Sequence, residues 1–497
     1  VGSRTILRNG VKAFKSELIQ LLKEHPYIFE HLPFDSADEI EEISLTSATE
    51  LEFWVRTPDI DADRREELST AQLLKEQYWK RTVGPVRTAL EKSLMILDKY
   101  DFEIEMGHKE VGGVKASMSQ SGRYDHVMEQ LEIDWKYTTA LQAADNENQV
   151  KYVIRDVFRM YGLDVTFMAK PMEGIAGSGK HTHMGVAVTL KDGREVNLFS
   201  PLDNTKDYLS PIGFGALMGL LKNYDIVNPF ISATNGAFDR LKPGYEAPVC
   251  VVTSLGHSVS NPSRNRTVLV GLIRDLNNSM ATRFELRSPN PKSNTHLVLT
   301  TSYLAMLDGI RAVLAEEKTG PELEKSISKA YGEEDFYLEK NRMYRSEENV
   351  FEEYDPSERD YFFGRAPRTV WENLCAFDDQ KEKLDSIISD EVISDLTVES
   401  YREAVLGQWA TELHNRIVPN TMELIRRTVK RHKDTECTDY DVACWVKIDK
   451  LRNDMGRTSL NEKCLLTELT LALEKGDYET ASAKQIEMQK KVEELNN

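Results

Sequence analysis

Residues 46–56 read TSATELEFWVR, and their alternating character, with Phe53 and Trp54 among them, is that of a β-strand. Glu50 and Glu52 stand two apart on it. Successive side chains of a strand point to opposite faces, so both carboxylates point the same way. Two like charges on one face repel each other and are costly to strip of water. A bound cation offsets that cost. For this pair alone, a charged strand face left open to water is the alternative.

The same spacing recurs outward from this strand. Arg283, Glu285 and Arg287 place a carboxylate between two guanidiniums on an expected strand 281–287; a surface salt-bridge ladder is the plain alternative. His181 and His183 stand two apart on an expected strand 180–190, where ordinary satisfied histidines are the alternative. His108 and Glu110 fall on 101–111 and Glu132 on 128–135, two expected strands around a loop with Gly112, Gly113, Ser117, Ser119, Ser121 and Gly122. Five glutamates and a histidine so placed can hold several divalent cations, and the nearby arginines can hold phosphate. Together they point to metal-assisted phosphoryl transfer. Between Pro171 and Gly179, glycines 174, 177 and 179 let the backbone approach a ligand closely. Glu246 lies on a Gly/Pro-bounded loop, 233–248, that can close over a substrate; a solvated loop carboxylate is the alternative.

Apolar spacing predicts helices at 11–24, 68–100, 136–162, 211–224 and 295–316, with Leu73, Leu74, Val86, Leu90 and Leu94 of the second directed to the core. Further strands are expected at 163–170, 249–254 and 265–273. Residues 318–366 are highly charged, and 380–432 and 456–495 are helical in pattern and rich in Glu, Lys and Leu. A boundary is expected near residue 365, and the fold class is α+β with an all-α extension. In that extension Leu465, Leu466, Leu469, Leu471, Leu473, Ala481, Ala483, Ile486, Met488 and Val492 have the spacing of amphipathic helices.

The chain has 497 residues, 40% hydrophobic and 29% charged, which suits two or three globular domains. Its net charge of -19 disfavours nucleic acid or an anionic membrane as partner, since phosphate backbones need Lys/Arg neutralisation. No apolar run approaches the roughly 20 residues a membrane helix needs, and no secretory signal is read at the start. Cysteines 250, 375, 437, 444 and 464 are scattered without a CxxC pair and read as reduced residues of a cytoplasmic protein.

The order of these segments resembles the glutamine synthetase family from about Thr46 to about Leu314. The resemblance is carried by ELEF (50–53), EMGHKEV (105–111), EQLEIDW (129–135), FMAKP (167–171), GSGKHTH (177–183), RLKPGYEAP (240–248), NRT (265–267) and RFELRSPNP (283–291). It implies a half-barrel of antiparallel strands with packed helices, in a catalytic domain over 46–365 followed by a helical extension over 366–497. The implied reaction is phosphorylation of the γ-carboxylate of glutamate by ATP, then displacement of phosphate by ammonia. It also implies residue roles. Glu52, Glu110 and Glu132 would hold one Mg2+ or Mn2+, and Glu50, His181 and Glu285 a second. Gly177, Arg240 and Arg287 would bind glutamate. Glu105, His183, Arg266 and Arg283 would serve ATP. Glu246 would take a proton from ammonium, with Arg287 also catalytic.

The family's usual Asn before the first glycine of GSG is Ala176 here, and its usual Arg five residues after Arg266 is Gly271, with Arg274 nearby. The stretch between Glu110 and Glu132 is longer than the family's compact spacing. Fewer than 50 residues precede ELEF, so residues 1–45 read as the connecting segment from a missing N-terminal β-grasp domain, which would lend an Asp to a neighbouring subunit's site in a homo-oligomer. A glutamate ligase using another amine, and a silent relative acting as sensor or scaffold, are the alternatives.

Overall fold

In the computed structural model, β1 (Ile40–Thr57) is the backbone of a nine-stranded sheet among the described residues. The structure describes residues 2–57, 82–118, 124–171, 176–242, 247–263, 265–389, 391–430, 433, 437–459 and 462–496. The expected helical stretch 68–81 with Leu73 and Leu74, the loop residues Ser119, Ser121 and Gly122, Gly174, and Glu246 of the proposed flap lie outside them.

β1 is paired along both edges, with β3 (Tyr124–Thr139) on one side and β5 (Lys180–Leu190) on the other. β2 (Ile104–Met118) continues the sheet beyond β3. Beyond β5 come β9 (Asn278–Leu286), β8 (Val270–Asp275) and β7 (Thr253–Ser254); β4 (Asp164–Thr166) pairs with β1, and β6 (Glu195–Asn197) with β5. All these pairings are antiparallel except β7 with β8. The observed β1 to β3 are longer than read from sequence. Residues 136–139 finish β3 instead of opening the next helix, which is Ala140–Met160. Lys136, Tyr137, Thr138 and Thr139 carry strand-compatible types that pair across to β1 near Thr46, so ladder bonding overrides a helical pattern that continues downstream.

The two faces of this sheet differ as alternation requires. Leu51, Phe53 and Val55 of β1 join Leu131, Ile133 and Trp135 of β3 in one apolar layer. Helices Gly84–Lys99 and Ala140–Met160 cover it with Val86, Ala89, Leu90, Leu97, Val150, Ile154, Val157 and Phe158. Phe53 meets Phe158 edge-on, ring centroids 5.6 Å apart. Each such side chain contributes about 1.5–3 kcal/mol by leaving water. Because this face is committed to the helices, Glu50 and Glu52 are held on the other.

Helix Thr295–Ala315 is long and apolar enough to cross a membrane by length and composition, which the sequence reading missed because Thr, Ser, Tyr and His punctuate it. In the fold, 78% of its most apolar window is buried inside the protein, so it is accounted for as a core helix. It packs on helix Pro211–Lys222 so closely that a Cβ on Gly309 would stand 2.1 Å from the Gly215 carbonyl oxygen. The Tyr303 hydroxyl lies 2.5 Å from the carbonyl oxygen of Thr46 and 3.2 Å from that of Gly185, tying the helix to β1 and β5.

The chain forms two compact units. The first comprises 1–232, 236–366 and 380–395, so helix Lys381–Ile387 folds with the sheet and not with the helices after it. The second comprises 233–235, 367–379 and 396–497 and is helical, with Val370–Asp379, Asp395–Glu412, Val418–Arg427, Asp439–Gly456, Leu465–Lys475 and Tyr478–Asn496. Its core includes Leu374, Phe377, Trp409, Leu465, Leu466, Leu469, Ala472, Ala481 and Met488. Ala483 is exposed, contrary to the sequence expectation, and the buried seam of the last helix instead carries Ser482 and Gln485.

Candidate active site

The register of the sheet brings the charged motifs onto one face. Glu50 pairs with Asp134 on one side and His181 on the other, and Glu52 pairs with Glu132. His108 also faces Glu132, and His183 faces Glu285. Directly opposed residues share a face, so side chains from β1, β2, β3, β5 and β9 converge.

Glu50 is the hub. Its carboxylate oxygens lie 3.0 Å from His181 Nδ1 and 2.8 Å from His183 Nε2. Burial alone would raise its pKa, but the two histidine hydrogen bonds outweigh this and hold the carboxyl well below its usual range. Arg283 Nε donates to His183 Nδ1 at 3.1 Å. An arginine can only donate, so His183 Nδ1 is an acceptor, and its Nε2 carries the proton given to Glu50. Glu285 lies 3.4 Å from His181 Nδ1 and accepts from Arg287 Nη1; burial works against ionisation, but Arg287 and then His181 keep its carboxyl low.

Glu52 is anchored through one oxygen, which accepts from Gly179 N and Gln130 Nε2, both at 2.7 Å. Its other oxygen lies 3.9 Å from His181 Nε2. Glu110 and Glu132 flank His108 Nε2 at 2.8 and 3.5 Å. Here like charges accumulate. Burial, then Asp134, Glu110, Glu52 and Glu50, drive the Glu132 carboxyl well above its usual range. Burial and Glu50 push Asp134 up to about 7, and burial raises Glu110 despite its bond to His108.

Three groups place ligand atoms within 4.8 Å of one another: Glu50 with His183 and Glu285, Glu50 with Glu132 and His181, and His108 with Glu110 and Glu132. All six expected metal positions therefore lie together, but the grouping differs from the two sets the resemblance implies. Glu50 and Glu132 each belong to two groups, Glu52 to none, and His108 and His183 join. Oxygen-rich sets with imidazole suit Mg2+ or Mn2+, and the crowded carboxylates carry a repulsion that a divalent cation would remove.

Arg240 is buried beside this cluster, donating from Nη1 to Ser288 O at 2.9 Å and from Nη2 to Arg287 O at 3.0 Å; burial draws its pKa down to about 10. Gly177 and Gly179 are required by close approach. A Cβ on Gly179 would stand 2.7 Å from His181 Nε2 and 2.8 Å from Arg240 Nη2, and one on Gly177 2.6 Å from Ala169 O. We expect Gly179→Ala to weaken Mn2+ binding at least about tenfold by calorimetry while thermal unfolding stays close to wild type, because the intruding methyl displaces His181.

Glu105 is exposed on β2, and its charge reaches Arg283; Arg266 is exposed, its carbonyl accepting from Arg287 Nε at 3.2 Å. Arg274 does not replace the arginine position at Gly271. Its Nη2 donates to Asn204 O and its guanidinium lies 5.7 Å over Tyr208, whereas a Cβ at Gly271 would face Glu285 Oε2 at 3.2 Å.

Sequence reasoning passed over Asp134, Gln130 and His108 as separate contributors, although each stands inside a quoted motif at a same-face position. It had no signal for Lys180 and Glu147. Lys180 alternates to the face opposite His181 and is fully buried. Its ammonium lies 3.2 Å from Glu147 and donates to Ser293 O and Thr295 Oγ1, both at 2.8 Å. Lys151 and Thr295 also bond Glu147. Burial lowers Lys180 to about 8; Glu147, despite burial, is drawn down to about 2 by Lys180 and Lys151.

A sheet face on which carboxylates and imidazoles converge from five strands, edged by arginines, defines a cation-binding catalytic domain suited to phosphate and carboxylate ligands. A family model described as "Glutamine synthetase, catalytic domain" matches residues 36–359, and the chain belongs to that family. It is 37% identical over 221 residues to a glutamine synthetase of Clostridium saccharobutylicum, covering 44% of this chain and 42% of that one. It is 34% identical over 225 residues to one of Sulfolobus acidocaldarius, covering 45% and 42%, and 32% identical over 255 residues to one of Pyrococcus horikoshii, covering 50% and 50%. The match thus spans half or less of the length of these relatives.

Proposed function

We propose that this protein joins ammonia to the γ-carboxylate of glutamate at the expense of ATP, through a γ-glutamyl phosphate, within a homo-oligomer whose sites lie between subunits. The reading is supported above all by the convergence of Glu50, Glu52, Glu110, Glu132, His181 and Glu285 on one sheet face beside Arg240 and Arg287. Mg2+ or Mn2+ held there would neutralise charge on the transferring phosphoryl group. Glu52, Glu110, Glu132 and His108 would hold one ion, and Glu50, His181 and Glu285 another. Arg283, fixed by His183, supplies positive charge at the ATP end with Arg266, and Glu105 lines that end. Arg240, Arg287 and the backbone at Gly177 receive the glutamate carboxylate, for which a guanidinium is a bidentate match. Glu246 takes the proton from ammonium. The catalytic portion is placed at 46–365, after the connecting segment 1–45 and before the extension 366–497.

The test is phosphate release by the full-length protein with glutamate, ATP and Mg2+, comparing ammonium with a panel of amines. Glu246→Ala should impair ammonium use while sparing metal binding; equal loss of metal binding would refute its role. Ala176 favours a second reading, a glutamate ligase for a larger amine, because a methyl there leaves room and removes an amide. Faster release with an organic amine than with ammonium would establish it.

Proton release provides a separate check. With Asp134 near 7 and Glu132 higher, the metal-free site is partly protonated at neutral pH, whereas a cation requires carboxylates. Mn2+ binding should therefore release protons and strengthen as pH rises from 6 to 8, flattening above the titration. Calorimetry in two buffers of different ionisation enthalpy reads this; pH-independent affinity would contradict it.

A further inference from the structure

The short helix Asn235–Arg240 begins in one unit and ends in the other, since Asn235 belongs to the helical second unit and Arg240 to the first. Asn235, Gln485 and Trp409 are each 1% exposed, which leaves water no part in satisfying them. Asn235 is used at both ends of its amide. Its Oδ1 accepts from Gln485 Nε2 at 2.9 Å, and its Nδ2 donates to Glu412 Oε2 at 2.6 Å. Trp409 Nε1 donates to Gln485 Oε1 at 2.9 Å. An indole N–H can only donate, so Gln485 must turn its oxygen to Trp409 and its nitrogen to Asn235; Asn235 must then turn its own nitrogen to Glu412. Every bond runs in one direction and ends on a carboxylate that also accepts from Arg416. Each bond polarises the next, and loss of any member strands buried polar atoms.

Five residues beyond Asn235, Arg240 is the buried guanidinium beside Gly177 and Gly179. One and a half helical turns join them, at about 1.5 Å rise per residue, with no flexible link. Apolar packing alone would stabilise the helical unit but would leave the rotation of this helix loosely set. A directional amide row that closes on Asn235 sets both rotation and axial position.

We propose that Asn235, held by Gln485, Trp409 and Glu412, is a positioning residue for Arg240, so that the C-terminal helices tune the site's affinity for its amino-acid substrate. This rests on the reading of Arg240 as the glutamate carboxylate clamp. Gln485→Met keeps side-chain length and removes both amide bonds; Trp409→Phe keeps the ring and removes only the donor. In the full-length protein with Mg2+, Gln485→Met should weaken glutamate binding about tenfold by calorimetry, and Trp409→Phe should weaken it less, with ATP affinity unchanged in both. Ser482→Ala removes a buried hydroxyl pair with Thr369, 2.7 Å apart in the same unit, and should leave glutamate affinity within about twofold. Arg240→Ala tests the underlying reading: unchanged glutamate affinity in that variant refutes the clamp itself. If Arg240→Ala weakens glutamate but Gln485→Met and Trp409→Phe do not, the positioning role is overturned. It is overturned equally if Ser482→Ala matches Gln485→Met, or if glutamate and ATP weaken together.

Discussion

Glu50→Gln is expected to lower ATP-dependent phosphate release by the full-length protein more than about a hundredfold, beyond the loss usual for outer partners of a metal site. Glu50 belongs to two of the three groups that can hold an ion, and it bonds both histidines of the GSGKHTH segment. The substitution preserves shape but removes a charge. An amide also has one acceptor oxygen where the carboxylate has two, so it cannot accept from His181 and His183 together. The His183–Arg283 contact loses its fixed end as well. Mn2+ titration should show a lost or strongly weakened site, with thermal unfolding shifted little. Retained stoichiometry and turnover would show that the ions are held without Glu50.

The second large effect lies on the opposite face of the sheet. Glu147→Gln leaves Lys180 fully buried without its counter-charge, and breaking a buried pair on one side costs about 3–5 kcal/mol. The displaced carboxyl pKa points to a similar magnitude: a fall from 4.5 to about 2 corresponds to about 3 kcal/mol. The sign follows from a folded value below the unfolded one. The contribution is fully present above about 4.5 and is lost as pH falls from there through about 2. Chemical denaturation at pH 7 should show the full deficit, and the gap between variant and wild type should narrow at pH 3. Adding Lys180→Met should restore much of the loss, because neither charge is then stranded. A Glu147→Gln protein as stable as wild type would show that the network is not the brace of β5 argued here.

Much of the candidate site was legible because strand periodicity is strict. Glu50 with Glu52, His181 with His183, and Arg283 with Glu285 and Arg287 each announce a shared face by their spacing of two, wherever the strand lies. The helix Thr295–Ala315 and the strand Lys180–Leu190 were readable to within a residue from apolar pattern. Reading Ala483 as buried failed because Ser482 and Gln485, counted as polar, occupy the seam. Polar side chains enter a core when partners meet them there, and a list of apolar positions cannot foresee the partner.

The amino-acid order by itself determined that acidic and basic side chains would stand on one face of several strands, and the order of the motifs pointed to the family. Which strands became neighbours was decided only by tertiary structure, through the register that opposes Glu50 to Asp134 and His181, and Glu52 to Glu132. That register grouped Glu50 with His183 and His108 with Glu110. Burial, a property of the whole fold, then moved Asp134 to about 7 and gave Lys180 its counter-ion from a helix 33 residues away in sequence. Proton affinity and ion pairing depend on water lost and charges gathered in three dimensions, and spacing along one strand carries neither.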